Sequence, residues 1–117
     1  MWEIEGTDQF ADWFGTLTQP EQEKIDIALE VLAQDGPKLG RPLVDTIAGS
    51  RHPNMKEVRP LSTNIRILFA FDPRRAAILL LGGDKTNQWE RWYRENILVA
   101  DALYDEHVAT LKEEGLL

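Results

Sequence analysis

The stretch from Met55 to Lys85, MKEVRPLSTNIRILFAFDPRRAAILLLGGDK, leaves this chain few ways to fold. Between Ile65 and Phe71 the side chains alternate: Ile65, Ile67, Phe69 and Phe71 point one way, Arg66, Leu68 and Ala70 the other. That period of two belongs to a strand. Asp72-Pro73-Arg74-Arg75 follows as a turn, because Asp accepts from backbone donors ahead of it and Pro presets the φ of the first central position. Ala76 to Leu81 returns as a continuously apolar strand, which suits a central position covered on both faces, and Gly82-Gly83 is expected to end it. Upstream, Met55 to Pro60 reads as another strand, joined to Ile65 by Leu61, Ser62, Thr63 and Asn64. The unit is a three-strand antiparallel meander.

Such a sheet needs cover, and the N-terminal third provides it. Trp2 to Gly6 reads as a short strand, after which Thr7 or Asp8 caps a helix with Phe10, Trp13, Phe14 and Leu17 at helical spacing. Thr18-Gln19-Pro20-Glu21 opens a second helix, with Thr three residues before Glu as a capping box and Pro tolerated in the first turn. Its stripe is Ile25, Ala28, Leu29 and Leu32, and Gly36-Pro37 stops it. The two helices form a hairpin expected to lie on the Ile65, Ile67, Phe69 face. Residues 37–54 follow as a long connection with Pro37, Pro42 and Pro53, tacked down by Leu39, Leu43, Val44 and Ile47; a loop of that length is either functional or a missed element. Past the sheet, Thr86 or Asn87 is expected to cap a helix carrying Trp89, Tyr93, Ile97, Ala100, Tyr104, Val108 and Leu111, continuous or bent near Asn96.

The chain has 117 residues, enough for one domain with a real core, and no composition break argues for two. Cysteine is absent, which excludes disulfides and thiol chemistry. The acidic start lacks a signal-peptide layout, and no apolar run approaches the roughly 20 residues a membrane span needs, so a cytoplasmic location is expected.

The net charge of −7 argues against nucleic acid until it is divided along the chain. Residues 1–50 carry 3 basic and 10 acidic side chains; residues 51–94 carry 9 basic and 4 acidic; residues 95–117 carry 1 and 6. A cationic centre therefore stands between two acidic ends, and a local positive field binds phosphates despite an adverse total. If the first hairpin closes symmetrically, Arg59 lies opposite Arg66, with Cβ atoms roughly 4.5–5.5 Å apart. Like charges so placed ask for an anionic ligand such as phosphate. The plainer alternative is that Glu57, on the same face as Arg59, neutralises the pair.

Two other residues invite a role. His52 ends the long connection beside the first sheet strand, as a catalytic group or an exposed bystander; His107 reads as structural. Tyr93, between Arg91 and Arg94, either stacks a base at the mouth of a cationic sheet or packs in the core. No histidine pair stands at metal-ligand spacing. Gly82-Gly83-Asp84-Lys85-Thr86 lacks the spacing of a phosphate loop, and no serine sits in a nucleophile elbow. What remains is a cationic site with no metal and no cofactor.

The element order, with the strings Lys56-Glu57-Val58-Arg59, Arg66-Ile67-Leu68-Phe69-Ala70-Phe71-Asp72-Pro73 and Leu79-Leu80-Leu81-Gly82-Gly83-Asp84-Lys85-Thr86, resembles the RelE/ParE toxin superfamily over nearly the whole chain. The likeness is to its HigB-like, phage-type branch. It implies an α+β fold, a small, mainly antiparallel sheet against an N-terminal helical hairpin with a C-terminal helix. It implies a ribosome-dependent mRNA endonuclease checked by a helix-turn-helix antitoxin, in an assembly of higher order. Metal-free RNA cleavage uses the neighbouring 2′-hydroxyl as nucleophile, so the protein supplies a base, an acid and cations for the crowded phosphorane. The resemblance puts Arg66 and Arg59 on the phosphate, Lys56 and Lys85 as further cationic or proton-transferring groups, Glu57 or His52 as base, and Tyr93 as stacking platform beside Arg91. The same fold also serves ParE-type toxins, which poison gyrase without cutting RNA, and degenerate toxins that survive only as antitoxin partners.

Overall fold

The computed structural model describes residues 1–117. Its elements are β1 (Ile4–Gly6), α1 (Asp8–Gly15), α2 (Gln19–Asp35), β2 (Val44–Thr46), β3 (Lys56–Val58), β4 (Ile65–Phe71), β5 (Ala77–Asp84) and α3 (Trp89–Glu113). The five strands form one sheet in the order β1-β5-β4-β3-β2, antiparallel except where β1 runs parallel to β5. Every residue of β4 from Ile65 to Ala70 is buried, because both faces of its neighbourhood are covered. Its two side-chain rows enter two separate cores. Ile65, Ile67 and Phe69 pack with Phe10, Ile25, Ala28 and Leu32 of the hairpin; Leu68 and Ala70 pack with Met55, Ile78, Leu80, Trp92, Ile97 and Ala100 beneath α3. Each fully buried Ile, Leu or Phe contributes about 1.5–3 kcal/mol, so the central strand fixes which helix lies on which face.

The helix starts follow their caps. Thr7 accepts from the Phe10 amide, and Thr18 and Glu21 form the reciprocal capping box, each such cap being worth about 1 kcal/mol. The α3 start is different. Gln88 holds the cap position without a side-chain bond, while Thr86 turns back to Asp84 and Asn87 adopts φ 65°. Neither Thr86 nor Asn87 caps the helix. Trp92, 8% exposed, replaces Trp89, 56% exposed, as the first packed position of α3, and the helix runs unbroken past Asn96.

Three strand boundaries also differ. Gly82-Gly83 does not end β5, which continues to Asp84 opposite Ile65. The glycines clear space on the two faces: a Cβ at Gly82 would sit 2.3 Å from the Trp13 ring, and one at Gly83 2.3 Å from the Trp92 ring. β3 stops at Val58, short of Arg59 and Pro60, and β1 omits Trp2, whose amide instead donates to the Ala33 carbonyl at 2.7 Å. The long connection hides the missed element, β2, paired to β3 through Val44↔Val58, Asp45↔Glu57 and Thr46↔Lys56.

Candidate functional site

Strand alternation selects the members of the site. On β3, Lys56 and Val58 face the helical hairpin while Glu57 faces α3, and the register Glu57↔Leu68, Val58↔Ile67 brings Arg66 of β4 to the same side as Glu57. The ladder ends at Val58↔Ile67, one step short of the Arg59–Arg66 pair that a symmetric hairpin requires. From above, the first turns of α3 lower Trp89, Tyr93 and Ile97, spaced four apart, onto the sheet end. Lys85 enters from the β5–α3 connection, and Arg41 and Asp45 from the long connection. Together they enclose an open groove of about 490 Å³.

At its inner wall the Tyr93 hydroxyl donates a short hydrogen bond to Glu57 Oε1. Arg66 lies behind, with its side chain 8% exposed and its Nε 3.6 Å from the same oxygen. Arg66 Nη1 donates to the Ile65 carbonyl at 2.7 Å, but Nε is buried without a hydrogen-bond partner. A buried charged donor left over is costly unless something occupies it. Burial, then the bond to Glu57, pushes the Tyr93 phenol up to about 12, so it stays a donor at neutral pH. Burial and the neighbouring Arg66 charge push the Lys85 ammonium below its ordinary value. Its Nζ lies 5.2 Å from the Trp89 ring centre and 5.9 Å from that of Tyr93. At the rim, Arg41 bonds Asp45 at 2.8 Å, and Arg59 approaches the same carboxylate at 3.9 Å.

Of the side chains singled out in the sequence, the groove gathers Glu57, Arg59, Lys85 and Tyr93, with Arg66 against Glu57. Lys56, His52 and Arg91 lie elsewhere. Lys56, one residue from Glu57, points through the opposite face and its Nζ donates to the Pro37 carbonyl at 3.4 Å. His52 is drawn to the middle of α3, its Nε2 2.8 Å from Asp105 and its ring 4.7 Å from that of Tyr104. Arg91 projects outward and pairs with Glu95 at 2.9 Å. The groove therefore holds Glu57, with Asp45 at its rim, and does not hold His52. No three His, Asp or Glu side chains come together as a metal site.

Residues 12–105 match the family described as phage derived protein Gp49-like (DUF891). The chain belongs to that family. Two Mycobacterium tuberculosis (strain ATCC 25618 / H37Rv) relatives of this Gp49-like chain bear the toxin names HigB3 and HigB2. The first is 49% identical over 102 residues, covering 87% of this chain and 90% of its own; the second is 47% identical over 109 residues, covering 91% and 54%. The match thus spans about half the length of the HigB2 chain. The isolated Escherichia coli RelE toxin superposes with a TM-score of 0.61 at 9% identity, over 80% of this chain and 97% of that one. RelE from the Pyrococcus horikoshii RelE–RelB complex gives 0.60 at 10% identity, over 74% and 97%. The Gp49-like chain is thus similar to HigB toxins and has the RelE fold.

Sequence reasoning missed Arg41 and Asp45, and assigned Trp89 to the core when it lines the groove. The available signal was the length of the 37–54 connection, which flags function without saying which side chains carry it.

Proposed function

We propose that this Gp49-like chain is the toxin of a type II toxin–antitoxin module and acts as a ribosome-dependent mRNA endonuclease. The observation that carries this reading is the buried Arg66, with its Nε unpaired 3.6 Å from Glu57, whose groove also holds Arg59 and Lys85. Glu57 takes the proton of an RNA 2′-hydroxyl. The 2′-oxygen bonds to phosphorus, the bond from phosphorus to the 5′-oxygen breaks, and a 2′,3′-cyclic phosphate and a 5′-hydroxyl end result. Arg66 and Arg59 hold the extra negative charge of the phosphorane. Lys85, whose lowered pKa makes it a better donor than an ordinary lysine, protonates the leaving oxygen. Tyr93 stays a phenol and orients Glu57 through its hydrogen bond.

None of these steps needs a metal. The partner that keeps the toxin silent is a small helix-turn-helix antitoxin, in a complex that can contain several copies of each. The acidic N-terminal third offers charge complementarity to a basic segment of such a partner. No helix is long and apolar enough to cross a membrane.

Induced expression tests the reading. Growth arrest accompanied by new mRNA ends inside translated codons, both lost in Arg66→Ala, is the expected result. Arrest without new mRNA ends would replace the nuclease by a gyrase poison of the ParE kind, and no arrest would leave a degenerate antitoxin partner.

A further inference from the structure

The carboxylate of Asp45 has two guanidinium groups and satisfies neither fully. Its Oδ2 lies 3.1 Å from Arg41 Nε and 2.8 Å from Arg41 Nη2, and the same oxygen is the one 3.9 Å from Arg59 Nη1. Its Oδ1 is held by the Thr46 amide at 3.0 Å, which keeps the carboxylate on the edge strand β2. All three side chains reach solvent, Arg41 at 75%, Arg59 at 33% and Asp45 at 27% exposure, so none of these ion pairs is sealed.

The surroundings suggest what belongs between the two arginines. Arg41 and Arg59 line the 490 Å³ groove of Glu57 and Tyr93, and they also line a second cavity of about 280 Å³ formed with Pro60, Ser62, Thr63 and Arg66. The pair is a ridge shared by two adjacent recesses. Across both recesses the cations are Arg41, Arg59, Arg66 and Lys85, and the carboxylates are only Asp45 and Glu57. A chain that placed one nucleotide in each recess would carry its linking phosphodiester over this ridge.

We propose that Arg41 and Arg59 form a phosphodiester site for a single-stranded RNA backbone, and that Asp45 is a resident anion standing in that site until RNA displaces it. The proposal rests on the nuclease reading and adds to it a binding residue, Arg41, and an opposing one, Asp45. An exposed carboxylate pair is worth about 0.2–1 kcal/mol. A phosphodiester offers one oxygen to each guanidinium at once, whereas the single Asp45 oxygen stays 3.9 Å from Arg59, so the exchange favours RNA. The Arg41 bond, ahead of every other influence, holds the Asp45 carboxyl below its usual range, so the resident is an anion at neutral pH.

The opposite role for Asp45, positioning the arginines for RNA, gives an effect of opposite sign. A fluorescent 2′-O-methyl RNA hexamer, which lacks the nucleophile, is titrated by anisotropy with wild type, Asp45→Asn, Arg41→Gln and the double variant at several salt concentrations. Asp26→Asn, on the exposed side of α2, controls for the simple loss of one negative charge. Asp45→Asn is expected to bind about two- to fivefold tighter, the range an exposed ion pair spans. Its log K against log salt slope should steepen by about 0.7, one extra cation on a single strand. Arg41→Gln should bind more weakly than wild type, and the double variant should lose the gain. Binding by wild type that weakens or stays unchanged in Asp45→Asn, or a gain matched by Asp26→Asn, would overturn this inference alone. Absence of binding by every form would likewise overturn this inference, while the nuclease reading stands or falls separately on the mRNA ends that translating extracts produce.

Discussion

Two buried carboxylates sit under α3 at different places on the sheet, and they are built differently. Asp72, 3% exposed, closes its network: His107 Nε2 lies 2.9 Å away, Arg74 bonds it at 2.8 and 3.0 Å, and the Ala76 amide donates at 3.1 Å. Arg74 continues to Glu5 on β1 at 3.0 Å. Glu57, 8% exposed, has the Tyr93 hydroxyl and a guanidinium that stops at 3.6 Å with a donor to spare. A satisfied cluster ties strand, turn and helix together; the other leaves a buried Arg66 donor unpaired behind the groove that Glu57 lines. The difference separates a closed carboxylate network from an open one, and on the proposed function the open one is the working carboxylate.

Removing each centre should therefore fail in a different way. Asp72→Ala strands His107 and the Ala76 amide while Arg74 keeps Glu5, and is expected to lower unfolding free energy by up to about 3 kcal/mol in urea, leaving the groove intact in whatever remains folded. Arg66→Met should do the reverse. Its apolar stem still fills the space and Glu57 keeps the Tyr93 hydroxyl, so the protein should still unfold cooperatively in urea, while RNA cleavage falls on the order of 10²–10³-fold, the cost of losing one transition-state donor.

Titration sharpens the contrast at both ends of the pH scale. In Tyr104→Phe the remaining phenol, Tyr93, should ionise only near pH 12 by absorbance at 295 nm, and Glu57→Gln should bring that value down. Because its folded pKa is raised, the stability it contributes is complete below about pH 10 and is lost as pH climbs to about 12. For Asp72, burial pushes the carboxyl up, but bonds from His107 and Arg74 outweigh burial and hold it below its usual value. Its contribution is present above the ordinary carboxylate range and is lost as pH falls through the depressed value, so Asp72→Asn should flatten the acid limb of the stability curve. The smallest effect is expected at Lys56. Lys56→Met on the hairpin face should alter RNA cleavage and urea stability by no more than about 0.5 kcal/mol, in contrast to its neighbour Glu57.

The fold was largely legible because it depends on periods and caps. The row Ile65, Ile67, Phe69 against Leu68, Ala70 names both cores, and Thr18 with Glu21 marks the start of α2. Glycine misled at β5, since Gly82 and Gly83 serve the rings of Trp13 and Trp92 rather than a turn, a close approach set by residues far away in sequence. β2 has only three residues and a proline two positions before it, too short for a period to show. The candidate site was legible where strand alternation governs it, in the shared face of Glu57 and Arg66, while Arg59 lies one residue past β3. Lys56 belongs to the opposite face by the same alternation, and only family resemblance placed it with them. His52 depended on how the long connection closes, which is decided by Ser50 Oγ and the Arg51 amide donating to buried Asp101 of α3. No local pattern announces that contact.

The account turns on Glu57 and Arg66 being the centre that meets RNA. The direct measurement adds equal folded amounts of wild type, Arg66→Met and Asp72→Asn to a translating extract and sequences mRNA fragments that begin with a 5′-hydroxyl. Wild type and Asp72→Asn should produce such ends within translated codons, and Arg66→Met should produce almost none. Ends that persist in Arg66→Met, or that vanish in folded Asp72→Asn instead, would contradict it.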